Sequence, residues 1–141
     1  MKPPDQEPGP QLVAEWVSKA SDDLAAAETL LTRDPPLLGP SCFHSQQAVE
    51  KYLKALLTHW NVEVPKTHDL GKLLQLIESC NSELASGLIN VLVLNTYATA
   101  CRYPGDQLEP DLKETRVALD LAREVRASIT PLLSQLFKHP G

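Results

Sequence analysis

The chain has 141 residues and a formal charge of −5, and 43% of its residues are hydrophobic. This length and composition indicate one globular domain. Proteins that coat nucleic acid by neutralising many phosphates are usually basic, so the acidic balance argues against general nucleic-acid coating. No signal peptide and no apolar run of membrane-spanning length is evident, so we expect a cytoplasmic protein without membrane contact.

The three cysteines, Cys42, Cys80 and Cys101, lie far apart and without the spacing of a zinc site. We therefore expect reduced thiols that act as small buried hydrophobes. No motif for a cofactor is present, and we predict neither a metal site nor a cofactor.

The first helix is predicted from Gln11 to Arg33. Before it, residues 1–10 contain four prolines and are predicted to form a disordered tail, with one domain at residues 11–137. The prolines of residues 34–40 end this helix. Its apolar face, at helical spacing, comprises Leu12, Trp16, Ala20, Leu24, Ala27 and Leu31.

The second helix is predicted from an N-cap at Ser41 to about Trp60. Apolar residues cover more than half of its circumference, which predicts a largely buried helix: Ala48, Val49, Tyr52, Leu53, Ala55, Leu56, Leu57 and Trp60. The remaining sector is a polar stripe of His44, Gln47, Glu50, Lys51 and Lys54. This stripe is either a solvated face closed by a Glu50–Lys54 pair or a polar seam that faces another element.

Three further helices are predicted downstream. The third begins after Thr67 or Asp69, and the fourth runs from Asn81 or Ser82 to Arg102; the fifth starts near Pro110 and is kinked near Pro131. The apolar stripe of the third helix is Leu70, Leu73, Leu74 and Ile77. That of the fourth is Leu84, Leu88, Val91, Leu92, Asn95 and Ala98. That of the fifth is Ala118, Ala122, Val125, Ile129, Leu132 and Leu136. About five amphipathic helices with short connections predict an all-α, antiparallel up-and-down bundle.

Three segments, in order and at their spacing, carry a family resemblance: Phe43–Leu56, Thr67–Leu70 and Arg102–Pro104. Together they resemble the HEPN (higher eukaryotes and prokaryotes nucleotide-binding) domain family over about residues 12–136. The resemblance implies a helical bundle that forms a homodimer and has a polar groove between its second, third and fourth helices. It also implies a nucleotide or short RNA as ligand, and a minimal nucleotidyltransferase as partner in a toxin–antitoxin-like or regulatory system.

The candidate ligand-binding residues are His44, Gln47, Glu50, Lys51, Lys54, Thr67, His68, Asp69, Arg102 and Tyr103, of which His44, His68 and Arg102 are also candidate catalytic residues. If they converge, several cations would be held together with only Glu50 to neutralise them, and an anion would relieve their repulsion. Two alternatives stay open. His68 can join a helix-capping network with its neighbours, and Arg102 can simply favour the end of its helix.

One motif of the resembled family is incomplete. Its metal-independent endoribonucleases carry an arginine, four to six residues and then a histidine, but no histidine follows Arg102 before His139. Loss of a general acid or base typically lowers a rate by about a hundredfold to ten-thousandfold. We therefore expect a binding or accessory module with negligible RNA cleavage, and keep a ribonuclease toxin with a variant active site as the alternative.

Overall fold

Helices make up almost all of the structure, a computed structural model that describes residues 9–99 and 109–133. In these residues the elements are α1 (Gly9–Thr32), α2 (Leu38–His59), α3 (Leu70–Cys80), α4 (Ser82–Gly87), a 3₁₀ helix (Ile89–Tyr97) and α5 (Leu112–Leu133). The described part of the chain contains no strand, and the predicted all-α helical bundle is confirmed. None of its helices combines the length and apolarity that crossing a membrane requires.

Helix α2 lies at the centre of the bundle. A short connection, residues 33–37, returns the chain from α1 along α2, while α5, α3 and the 3₁₀ helix pack on its other sides. Fourteen residues of α2 are buried, and the prediction of a largely buried helix is confirmed. Because α2 has almost no solvent-facing surface, its polar side chains must find partners inside the protein.

The ends of α1 differ from the prediction. The helix begins at Gly9, two residues before the predicted domain start. Pro10 fits in its first turn, because a backbone N–H there would have no hydrogen-bond partner within the helix. Val13 rather than Leu12 continues the buried stripe of Ala20, Leu24 and Ala27. The predicted tail, apart from Gly9 and Pro10, lies outside the described residues.

The predicted N-cap of α2 is wrong. The helix begins three residues earlier, at Leu38, because Pro40 fits within its first turn instead of breaking it. Ser41 is therefore a helical residue, fully buried, and its Oγ donates to the carbonyl of Ala27 at 2.8 Å. The hydroxyl links α2 to α1.

The predicted fourth helix is two shorter elements. Asn81 caps α4 by accepting from the N–H of Leu84 at 3.0 Å, as expected, but α4 ends at Gly87. A 3₁₀ helix follows to Tyr97. Glycine weakens an α-helix, and so do the β-branched residues that follow it, which accounts for the break. Arg102, the predicted end of this helix, lies outside the described residues.

Helix α5 is capped more firmly than the prediction implied. It begins at Leu112, and Asp111 and Glu114 form a capping box in which each side chain accepts from the other's backbone N–H, at 2.7 and 3.0 Å. Pro110 precedes this cap and lies outside the helix.

The buried stripe of α5 is confirmed at Ala118, Ala122, Val125 and Ile129. It continues at Leu133 rather than at the exposed Leu132, because the stripe advances by four residues at this point. The helix continues through Pro131, and Leu136 lies outside the described residues.

Candidate functional site

A buried acid on α1 meets two residues of the predicted stripe. Asp23 lies among the apolar residues of α1, and its Oδ1 is 2.8 Å from Nδ1 of His44. Its Oδ2 accepts a hydrogen bond from the ammonium group of Lys51. Since His44 and Lys51 are two helical turns apart on one face of α2, both side chains can reach the same carboxylate. We call these three residues the Asp23 cluster.

A second acid, on α2 itself, forms a similar group. Glu50 is 3% exposed, and its Oε2 accepts from Nζ of Lys54 at 2.9 Å. Its Oε1 lies 2.8 Å from Nδ1 of His68. The Lys54 ammonium also lies 5.5 Å from the centre of the Trp16 ring, within the range of a cation–π contact. We call Glu50, Lys54 and His68 the Glu50 cluster.

Two glutamines of α2 tie the Glu50 cluster to the segment before α3. Gln46 is fully buried, and its Nε2 donates to the main-chain carbonyl of His68 at 3.2 Å and, more weakly, to Glu50 at 3.4 Å. Its Oε1 accepts from Nε2 of Gln47 at 2.7 Å. The amide of Gln46 therefore fixes the backbone of the residue whose imidazole Glu50 holds.

The segment Thr67–Leu70 is also held from its other side. Asp69 caps α3 by accepting from Gly71 N at 2.9 Å, and Thr67 Oγ1 accepts from Asp69 N at 3.1 Å. Asn95, on the 3₁₀ helix, donates to Asp69 at 3.2 Å and accepts from Leu70 N at 2.9 Å. Asp69, one of the two predicted caps, is therefore the N-cap of α3, whereas the capping alternative for His68 is wrong because its ring turns to Glu50.

The stripe is the polar seam that faces other elements, because its residues bind Asp23 of α1 and His68 of the segment before α3. It is not a solvated face, because Glu50 and Lys54 are buried. Nor does it hold several cations that only Glu50 neutralises, because Asp23 partners Lys51 and His44. In each cluster the carboxylate and the ammonium group cancel, and the histidine adds a charge only when it is protonated.

The two histidines present the same ring nitrogen to their surroundings. An ionised carboxylate only accepts hydrogen bonds, so Nδ1 of each ring carries a hydrogen and Nε2 is left for another partner. The His68 side chain is 68% exposed and that of His44 is 32% exposed. The arrangement therefore offers two oriented imidazoles at the ends of buried ion pairs.

A cavity of about 260 Å³ lies beside the start of α2. Its lining residues are Gly39, Pro40, Phe43, Tyr97, Thr99, Glu109 and Pro110. The Phe43 ring stands edge-on to that of His44, with ring centres 5.2 Å apart, so the cavity adjoins the Asp23 cluster. The predicted site residues Arg102 and Tyr103, together with Cys101 and His139, lie outside the described residues.

Cys42 behaves as the small buried hydrophobe that the sequence suggested. Its Sγ lies 3.5 Å from Oγ1 of Thr115, and burial raises the pKa of the thiol above its ordinary value of 9.0. Cys80 differs from the expectation, since it is exposed at the end of α3. Among residues 9–99 and 109–133, no group of three histidine, cysteine or acidic side chains could hold a metal ion.

Three residues of the site were missed from the sequence: Asp23, Gln46 and Asn95. Asp23 carried a signal, because it falls on the apolar face of α1 between Ala20 and Ala27, where an acid is rarely buried without a partner. Gln46 gave a weaker signal, because it occupies a face of α2 on which most residues are apolar. Asn95 was placed on an apolar stripe, but its capping role depends on the 3₁₀ geometry.

Comparisons with known proteins agree with the architecture. No curated protein and no solved structure matches this chain. The family model described as the HEPN domain matches residues 13–131, a range that begins within α1 and ends within α5. This range covers most of the chain, including both carboxylate clusters and the segment that holds His68. The chain therefore belongs to the HEPN domain family.

Proposed function

We propose that this protein is a HEPN-type binding and accessory module whose polar groove takes a nucleotide or another phosphate-bearing ligand. The observation that supports it is the pair of carboxylate-held imidazoles, His44 on α2 and His68 in the segment before α3, each with Nε2 available. The packing of the helices does not explain why either ring is exposed to solvent. When such a ring is protonated, Nε2 also carries a hydrogen and can donate it to an oxygen of a phosphate group.

The position of Arg102 in the chain supports the same groove. The segment that carries Arg102 and Tyr103 connects Thr99 to Glu109, and both of these residues line the cavity beside Phe43. An arginine can bind a phosphate through two parallel hydrogen bonds. We propose Arg102 as a phosphate-binding residue of the same site.

Ligand binding is tested by thermal shift and calorimetry with ATP, GTP, a short RNA and inorganic phosphate. A ligand that binds only the folded state stabilises it by about 2.7 kcal/mol at a hundredfold excess over its Kd. We expect such a gain for at least one phosphate-bearing ligand, and its loss in Arg102→Ala. Arg116→Ala is the control, because Arg116 lines a different cleft, between α1 and α5. If no ligand stabilises the protein, the groove has no binding role.

Lys51→Ala is unsuitable for this test, although Lys51 is one of the candidate ligand-binding residues. Lys51 is bound to a mostly buried Asp23, so its removal leaves a carboxylate short of a partner and should destabilise the unliganded fold. A loss of binding in that variant would not separate a ligand contact from a folding defect.

We also propose a homodimer that is formed through the surface of the 3₁₀ helix and α5. Ile89, Val93, Leu112 and Val117 are large exposed apolar side chains on these two elements. Lys113 and Glu114 line the same cleft as Val93 and Val117. In a two-fold symmetric interface, Lys113 of one protomer can face Glu114 of the other.

Sedimentation at micromolar concentration tests the dimer. We expect twice the chain mass for the parent and the monomer mass for Val117→Lys, because a lysine would be desolvated in the interface. Lys19→Glu, an exposed change on α1, should leave the dimer intact. A parent protein that sediments as a monomer contradicts this assignment.

A minimal nucleotidyltransferase is the proposed partner, in a toxin–antitoxin-like or regulatory pair. Membership of the HEPN family supports this part of the proposal. Affinity purification of the tagged protein from its own cells, followed by mass spectrometry, should recover a nucleotidyltransferase in comparable amount. Recovery of the tagged protein alone contradicts it.

A metal-independent ribonuclease is the second candidate, and the two imidazoles favour it. Cleavage of RNA needs a general base and a general acid, and His44 and His68 are both held by carboxylates in the way that orients such groups. The accessory module predicts negligible cleavage of model RNA in EDTA. Cleavage that disappears in both His44→Gln and His68→Gln establishes the ribonuclease instead.

A further inference from the structure

The exposed imidazole of His68 has an unusually well-built support. Its Nδ1 lies on the buried Glu50 carboxylate, its carbonyl accepts from buried Gln46, and the adjacent Asp69 is held by Asn95. The ring itself is 68% exposed, so it contributes little to the core. Buried groups are therefore arranged around a side chain that the fold does not need for packing.

The charges around this ring are almost balanced while His68 is neutral. The charged residues of the elements that meet here are Glu50, Lys51 and Lys54 on α2, Lys66 and Asp69 beside His68, and Lys72 and Glu78 on α3. Lys54 neutralises Glu50, and on α1 Asp23 is engaged by His44 and Lys51. With a whole-chain charge of −5 as well, a neutral groove has little attraction for an anion.

We propose that His68 binds the anionic ligand in its protonated form, so that ligand binding takes up a proton. In this state Nδ1–H donates to Glu50 and Nε2–H donates to an oxygen of a phosphate or sulfate group. Glu50 is the positioning residue, because it fixes the ring through Nδ1 and compensates the added charge. This assignment rests on the proposed groove and adds the contact atom and the linkage to pH.

The direction of the pH effect follows from thermodynamic linkage. Histidine changes charge between about pH 5 and 8, and a ligand that selects the protonated ring binds more tightly at the acidic end. Where one proton is taken up per ligand, affinity falls by about tenfold for each unit that the pH rises.

Sulfate is the probe, because it remains a dianion throughout this pH range and any pH dependence must come from the protein. Calorimetry at pH 6.0 and pH 8.0, at constant ionic strength, gives the two affinities. Repeating the titrations in buffers of different ionisation enthalpy gives the number of protons taken up. We expect at least tenfold tighter binding at pH 6.0 and a net uptake that approaches one proton.

His68→Gln is the decisive variant, since glutamine still offers an N–H to Glu50 but cannot take up a proton. We expect weak sulfate binding at both pH values and a loss of proton uptake, while the unliganded stability changes little. His59→Gln is the matched control, because His59 lies at the far end of α2. This variant should bind sulfate as the parent does. General salt effects of sulfate are the same in all three proteins and cancel in the comparison.

The outcomes separate this inference from the function on which it rests. Equal affinity at both pH values, no proton uptake, or a His68→Gln variant that binds as the parent does would overturn the role of His68. Nucleotide or phosphate binding that persists in that case leaves the groove itself standing. If neither sulfate nor any phosphate-bearing ligand binds at any pH, the groove and the role of His68 fail together.

Discussion

Replacing Lys54 with methionine should destabilise the protein strongly, although the two side chains are similar in length. Lys54 is 6% exposed and Glu50 is 3% exposed, so both charges of the pair have been removed from water. Removing one member of a buried ion pair typically costs about 3–5 kcal/mol. His68 and Gln46 still bind Glu50, which places the expected cost of Lys54→Met near the lower end, at about 3 kcal/mol.

A double variant distinguishes the cost of leaving a buried charge unpaired from the cost of losing packing contacts. Glu50→Leu alone leaves the buried Lys54 ammonium without its carboxylate and should cost at least as much as Lys54→Met. The combination of Glu50→Leu and Lys54→Met should lie within about 1 kcal/mol of the parent, because replacing a whole buried ion pair by apolar residues is often neutral. The Trp16 ring can pack against the methionine as it does against Lys54.

Urea unfolding gives the free energy of unfolding for each of the four proteins. For a chain of this size, about 3 kcal/mol also corresponds to a decrease in Tm of roughly 6–12 °C. A cost below about 1 kcal/mol for Lys54→Met, as for an exposed pair, would refute the argument that the pair is desolvated. So would a double variant whose loss equals the sum of the two single losses.

Three smaller effects should be measurable in the same unfolding assays. Ser41→Ala removes the buried hydrogen bond to Ala27 and should cost about 1 kcal/mol; Ser79→Ala, on an exposed hydroxyl, is its control. Asp69→Ala removes the N-cap of α3 and should also cost about 1 kcal/mol. Because burial raises the pKa of Cys42 in the fold, the unfolded thiol ionises first, and stability should fall as pH rises above 9.0. Cys42→Ser should reduce that fall, and an unchanged pH profile contradicts the assignment.

The sequence predicted the bundle well wherever the apolar period was regular. The middle of α1, nearly all of α2 and the four apolar positions of α3 follow the predicted faces, because a helix in a small bundle must bury its stripe. Helix ends were less predictable. Pro40 was taken to break a helix but lies in a first turn, and Gly87 lies within the range of the predicted fourth helix but ends α4.

The candidate site was predicted in part. The polar stripe and the segment around His68 do meet. The net charge of the stripe together with its partners, however, could not be predicted from the sequence of α2 alone. The neutralising acid for His44 and Lys51 comes from α1, and only the packing of α1 on α2 brings Asp23 to that face. Which side chains meet between two packed helices depends on how the helices are rotated relative to each other. The spacing of apolar residues in either helix does not determine this rotation.

The central position of α2 also sets the order in which the chain can assemble. Five residues separate α1 from α2, so their hairpin closes a short loop, whereas residues 60–111 separate α2 from α5. Loop-closure entropy grows with the logarithm of loop length, and a tenfold longer loop costs about 2 kcal/mol more to close. The α1–α2 hairpin should therefore form early and present the surface on which α5 docks last. Substitutions in α5 should then speed unfolding more than they slow folding.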